Sequence, residues 1–134
     1  MGFFSRLFGP RRYATKYVRI GKTRIKVFIA DSFVKKMYGL MNWDSLGVCE
    51  GMLFPINSYA ESGIWMFGMK FSIDILWLDG SGKVVDIVER AKPCNIFNCK
   101  IYYPEGKASY VLELSAGAAR RMKIKRGRRI AMGY

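Results

Sequence analysis

The chain has no histidine among its 134 residues. That excludes Ser-His-Asp triads, Cys-His pairs and imidazole metal ligands. Cysteine is scarce: only Cys49, Cys94 and Cys99 occur. An odd, small number argues against a disulfide-built scaffold and fits a reducing compartment, so a cytoplasmic location is expected. No stretch approaches roughly 18 uninterrupted apolar residues, so no spanning helix is expected. The N-terminus lacks the apolar core and small-residue cleavage site of a secretion signal.

Acidic residues are missing from both ends. Residues 1 to 26 hold eight Lys or Arg and no Asp or Glu, and residues 120 to 129 hold seven and none. Between them, residues 31 to 113 carry eight basic and ten acidic side chains. The formal net charge of +13 is therefore a near-neutral body with two basic ends. Segregated like charges repel unless they stay exposed or a partner neutralises them. Phosphate backbones, anionic lipids and acidic protein surfaces are the chemistries that fit.

What is present is core-building material. Apolar residues make up 51% and aromatics 15%, a composition that packs one domain of this length. Residues 1–15 read as a basic, partly apolar extension and 16–132 as a single β-rich domain. In the extension, Phe3, Phe4, Leu7 and Phe8 share one face of a short helix. Membrane contact through residues 3–8 is a lesser alternative to packing on the body.

Residues 17–29 read as a hairpin about Gly21-Lys22. Asp31 and Ser32 cap a predicted helix through Met41, with Phe33, Val34, Met37 and Leu40 toward the core. Strands are predicted around 52–54, 64–67, 71–78, 84–88 and 109–114. Ser115 opens a helix over 116–122, and 124–132 is extended around Gly127. Gly80-Ser81-Gly82-Lys83 lacks the spacing of a phosphate loop and reads as a hairpin turn. The methionines at 37, 41, 52, 66 and 69 read as ordinary core or rim. Many short strands with two brief helices make the fold mainly β, a sandwich or barrel-like single domain.

The order of these pieces resembles domain of unknown function family 192 (uncharacterised protein family 0127), a prokaryotic family. The matching segments are Gly39-Leu40-Met41, Gly51-Met52-Leu53-Phe54, IWMFGMKFSIDILWLD at 64–79 and Gly82-Lys83-Val84-Val85. They continue with Pro93-Cys94 and Cys99, Tyr110-Val111-Leu112-Glu113-Leu114, Ala116-Gly117, and Ile124 with Gly127. The resemblance implies a β-sandwich or barrel-like domain and no established activity. It also shows two departures. Ser72 stands where relatives often have Pro, and Arg128 stands where they usually have an acid.

The expected function is a binding domain rather than an enzyme, docking on RNA or a ribonucleoprotein, or else on an acidic protein surface. Its candidate contacts are Arg120, Arg121, Lys123, Lys125, Arg126, Arg128 and Arg129, widened by Arg19, Lys22, Arg24 and Lys26. Guanidinium forks suit phosphate oxygens, and Tyr13, Tyr102 and Tyr103 offer stacking surfaces. Without a recognised RNA-binding motif the binding would be nonspecific, and loss of Arg126, Arg128 and Arg129 would spare the fold. The alternative is a ligand protein or histidine-free enzyme with a pocket near Trp65, Asp74 and Glu113. Asp74 interrupts an apolar strand, so it is either satisfied structurally or part of that pocket. Cys94 and Cys99 allow a disulfide or free thiols. No metal and no cofactor is expected.

Overall fold

The computed structural model describes residues 12–41 and 43–133. The chain is mainly β. Its elements run β1 (Thr15–Ile20), β2 (Thr23–Ile29), α1 (Phe33–Tyr38), β3 (Glu50–Pro55), a 3-10 turn (Ala60–Ser62), β4 (Ile64–Trp65) and β5 (Ile73–Leu78). Then follow β6 (Val84–Ala91), β7 (Ile101–Tyr102), β8 (Tyr110–Ser115) and α2 (Ala118–Arg121). Six strands form one sheet in the order β1-β2-β3-β8-β5-β6, while β4 and β7 form a small second sheet. Neighbours are antiparallel except β2 and β3. That one parallel pair needs a crossover connection, and α1 with the segment after it supplies the crossover. The predicted extension reaches into the domain at its end: Tyr13 is buried, and the Ile29 N–H donates to the Ala14 carbonyl. The predicted contact through residues 3–8 lies outside the described residues.

All six residues of β5 are buried. Side chains alternate across a strand, so a strand buried throughout requires cover on both faces of its sheet. Two apolar clusters provide it. Phe28, Met52, Phe54, Ile73, Ile75, Trp77 and Val111 belong to one. Ile25, Val27, Leu53, Leu76, Leu78, Leu112 and Leu114 belong to the other. Each large side chain so buried contributes roughly 1.5–3 kcal/mol. The Trp77 indole N–H also donates to the Ser62 carbonyl (2.8 Å), tying the 3-10 turn to the sheet.

Three cross-connections complete the domain. Asp74, fully buried, points into the second cluster's side. Its carboxylate accepts from the Arg90 N–H (2.9 Å) and from the Ala119 N–H (2.8 Å). Gly117, at the N-cap of α2, offers no side-chain acceptor, so Asp74 supplies from a distant strand what a capping side chain normally supplies.

The second connection is the C-terminal segment. Arg19 and Ala131 exchange backbone hydrogen bonds, and the Val84 N–H donates to the Arg128 carbonyl. The segment thus links β1 and β6, the two edges of the large sheet, and covers groups that would otherwise template further pairing. It can approach because residue 82 is glycine: a Cβ there would lie 2.3 Å from the Ile130 carbonyl oxygen, and φ is +88°. The third connection is a disulfide between Cys94 and Cys99, whose Cα atoms lie 5.0 Å apart; Cys49 is free and exposed.

Two helix expectations fail: Gly117, not Ser115, opens α2, and α1 packs differently. α1 does not turn Phe33, Val34 and Met37 to the core. None of its residues is buried, and Phe33 and Met37 are 75% and 52% exposed. Only Leu40, beyond the helix end, enters the core. Met37 borders a cleft, while Phe33 and Val34 stay exposed.

Replacing Asp74 by Asn leaves one acceptor where two backbone N–H groups converge. The variant should lose about 1–3 kcal/mol, read as a lower urea midpoint at unchanged slope. An unchanged midpoint would remove Asp74 from the structural frame.

Candidate functional site

Strand alternation decides which acids can share a site. β8 pairs with β5 so that Glu113 lies opposite Ile75 and Asp74 lies opposite Leu114. Directly opposed residues point to the same face. Glu113 therefore stands on the Ile75 face and Asp74 on the other. The expected grouping of Trp65, Asp74 and Glu113 divides: Trp65 and Glu113 line one cleft, and Asp74 is bonded on the far side of the sheet.

The cleft has a volume of about 180 Å³. One wall is α1 and the turn after it, with Lys36, Met37, Tyr38, Gly39, Leu40 and Met41. The opposite wall comes from Gly63, Ile64, Trp65, Phe67 and Met69, and Phe54 with Glu113 closes the inner end. The Trp65 and Phe67 rings lie 5.1 Å apart at a tilt of 35°. Three of the five singled-out methionines, at 37, 41 and 69, belong to the cleft, whereas Met52 and Met66 are core.

Gly39 shapes the inner wall. Its φ of +50° with ψ of −126° is a conformation open to glycine alone. A Cβ would stand 3.2 Å from the Phe54 ring and 4.0 Å from Glu113 Oε1. The chain turns there against the carboxyl and the ring with no side chain between. Gly39-Leu40-Met41, Phe54, the 64–69 stretch and Glu113 were separate pieces of the sequence resemblance. Here they line one cavity.

Glu113 is 5% exposed. Among the described residues it accepts no hydrogen bond and pairs with no cation. Lys36, on the same cleft, holds Glu61 at 3.8 Å. Desolvation pushes the Glu113 carboxyl up to about 8, because burial penalises the charged form. A carboxyl of this kind is proton-bearing near neutrality. It can donate a hydrogen bond, or ionise when a cation arrives.

The basic candidates form a second region. Bridging of Arg19 to Ala131 brings the hairpin carrying Arg19, Lys22, Arg24 and Lys26 beside the C-terminal run. The run is not uniformly free, however. Arg126 pairs with the buried Asp86 (2.7 Å) and with Glu105 (3.4 Å). The Arg128 guanidinium donates to the Met122 and Lys123 carbonyls, both at 3.3 Å, at the end of α2. These two arginines make bonds that tie down the closing segment, so their removal should cost stability as well as charge. Arg120, Arg121, Lys123, Lys125 and Arg129 stay exposed. Arg24 lies 4.0 Å from the Tyr17 ring centroid. Of the stacking candidates, Tyr13 is in the core and Tyr103 is stacked on Tyr59 at 5.1 Å.

Glu113 has a folded pKa above its ordinary value of 4.5. Between about 4.5 and 8 the folded state keeps a proton that the unfolded state has released. Stability from this group is therefore full below pH 4.5, falls as pH rises to about 8, and is level above that. Glu113→Gln has no such titration. Relative to wild type it should gain on the order of 2–5 kcal/mol across that window, measured as urea midpoints at a series of pH values. Parallel pH profiles would place Glu113 in water.

Comparisons with known proteins extend over the same framework. The chain is 32% identical over 102 residues to a UPF0127 protein of Thermococcus kodakarensis, covering 76% of this chain and 61% of that protein. The chain thus spans about three-fifths of that relative's length. A crystal structure of a protein of unknown function from Novosphingobium aromaticivorans superposes with a TM-score of 0.72 at 25% identity, covering 90% of this chain and 85% of that one. A suggested transcription regulator from Sinorhizobium meliloti gives a TM-score of 0.72 at 26% identity, covering 88% and 93%. The model of the DUF192 family, described as Uncharacterized ACR, matches residues 16–132, and the chain belongs to that family.

Proposed function

We propose that the protein is a small-ligand-binding domain whose site is the cleft between α1 and β4. One observation carries this reading: a buried carboxyl with no partner among the described residues faces an open cavity whose other walls are mainly Met, Leu, Ile, Phe and Trp side chains, with Lys36 and Tyr38 on the α1 side. A buried polar group left unpaired costs folding free energy, and a ligand that pairs with it offsets that cost. The walls add apolar contact from Met, Phe and Trp side chains, and the single acid gives orientation, the usual division of labour in a binding pocket. At about 180 Å³ the cleft takes a side-chain-sized group, below the ~300–1,000 Å³ of drug-sized sites.

A panel of small aryl and alkyl compounds with one polar group tests the reading. A binder should raise the melting temperature of the wild type and shift the emission of Trp65, which is 47% exposed while Trp43 and Trp77 are buried. Met37→Trp narrows the mouth at an exposed position and should abolish both effects. A panel that moves neither readout counts against the cleft.

The approach of the β1–β2 hairpin to the basic C-terminal run favours a second reading, nonspecific docking on an anionic partner such as RNA. The suggested transcription regulator among the similar structures fits a nucleic-acid partner. The side chains to test are those left outside the closing segment's own bonds. Neutralising Lys123, Lys125 and Arg129 together should lower the slope of log affinity against log salt by about 2–3 if each meets a phosphate. Arg126 and Arg128 stay in place, so the fold is preserved. Equal slopes for variant and wild type would reduce the run to a solvated, structural edge.

A further inference from the structure

The walls of the cleft specify more than its size. Met52 and Ile75, the cross-strand neighbours of Glu113 on its own face, are apolar. Phe54, the 39–41 turn and the 63–69 stretch contribute no titratable side chain to the cleft, and α1 contributes Lys36 and Tyr38. Lys36 is engaged with Glu61. Glu113 is thus the one acid on the cleft, and among the described residues no group of three or more Cys, Asp and Glu is placed to hold a metal ion. A carboxyl here differs from an amide in one respect: it can carry charge once a cation comes within reach. The Trp65 and Phe67 rings, 5.1 Å apart, border the same space. Aromatic faces attract a cation within about 6 Å of the ring centroid.

We propose that the Glu113 cleft selects a small molecule bearing an ammonium group, with the ammonium on the Glu113 carboxylate and its alkyl or aryl body against Trp65, Phe67 and the cleft methionines. The inference rests on the cleft being a ligand site and names the chemistry of the ligand. Because the empty-site carboxyl is proton-bearing up to about pH 8, entry of the ammonium releases one proton from Glu113. The charged pair then replaces a lone acid, and a charge-assisted hydrogen bond forms.

The test is isothermal titration calorimetry of the full chain with benzylamine, and with phenylacetamide as a neutral ligand of similar shape. Runs at pH 6.5, 7.5 and 8.5 in buffers of different ionisation enthalpy count protons. Benzylamine should bind at least tenfold more tightly than phenylacetamide and release about one proton at pH 6.5. Its affinity should rise by up to tenfold per pH unit toward pH 8, then level, as the fraction of ionised carboxyl does. Glu113→Gln should lose the preference and the proton release. Trp65→Ala, at an exposed position, should weaken benzylamine several-fold and keeps the comparison available if the Gln variant does not fold.

Phenylacetamide binding as tightly as benzylamine, with no rise toward pH 8, would overturn the ammonium assignment and leave the cleft reading standing. Binding of neither probe, or equal binding to wild type and Met37→Trp, would remove both.

Discussion

Antiparallel pairing of β8 between β3 and β5 is the constraint on which the other features depend. One strand at the centre of a sheet covered on both faces must send alternate side chains into two different interiors. Leu112 and Leu114 go to one cluster, Val111 and Glu113 to the other side. The strand's neighbours then fix what Glu113 meets: Met52 from β3, Ile75 from β5 and the ring of Phe54. A register slip of one residue would exchange the faces, placing a carboxyl in the leucine cluster and a leucine at the cleft. Burial of the sheet on both sides holds the carboxyl in its costly position.

The two buried acids show how differently the fold treats the same chemistry. Asp74 and Glu113 lie on adjacent paired strands, yet one receives two backbone N–H groups and the other receives none among the described residues. Asp74 binds β6 and α2 to the sheet and belongs to the frame. Glu113 has no such partner among the described residues, and its carboxyl faces the cavity. An acid that a fold leaves unpaired in an apolar wall is a candidate contact for something from outside.

The basic C-terminal run also has two roles. Its backbone joins the sheet's edge strands, and Arg126 and Arg128 secure that closure through Asp86, Glu105 and the carbonyls ending α2. The remaining cations project from this edge beside those of the β1–β2 hairpin. Charge concentration near the chain ends thus becomes concentration in space, because the last strand-like segment returns to the first strand. The Arg128 side chain is absorbed by backbone carbonyls; the expected gain of a free binding cation at that position is smaller than the charge count implies.

Local information in the sequence settled much of the fold. Alternation marked the strands from 17–29, 71–78 and 109–114. Gly21-Lys22 and Asp79-Gly80 marked the hairpin turns, and the absence of histidine excluded whole classes of catalyst before any geometry was known. These are readable because strand period and turn chemistry act over a few residues. What only the tertiary structure decided depends on pairing between residues far apart in the chain. Spacing placed Phe33, Val34 and Met37 on one helix face but could not tell whether the sheet lay beside it. Asp74 and Glu113 could be named as buried acids, but their separation onto opposite faces follows from β5–β8 register. The roles of Arg126 and Arg128 required knowing that residues 124–132 cross from one sheet edge to the other. Glycine at 39 was visible as a letter. That its backbone turns against a carboxyl and a phenyl ring at the inner end of a cavity was not, since those partners come from strands 15 and 74 residues away.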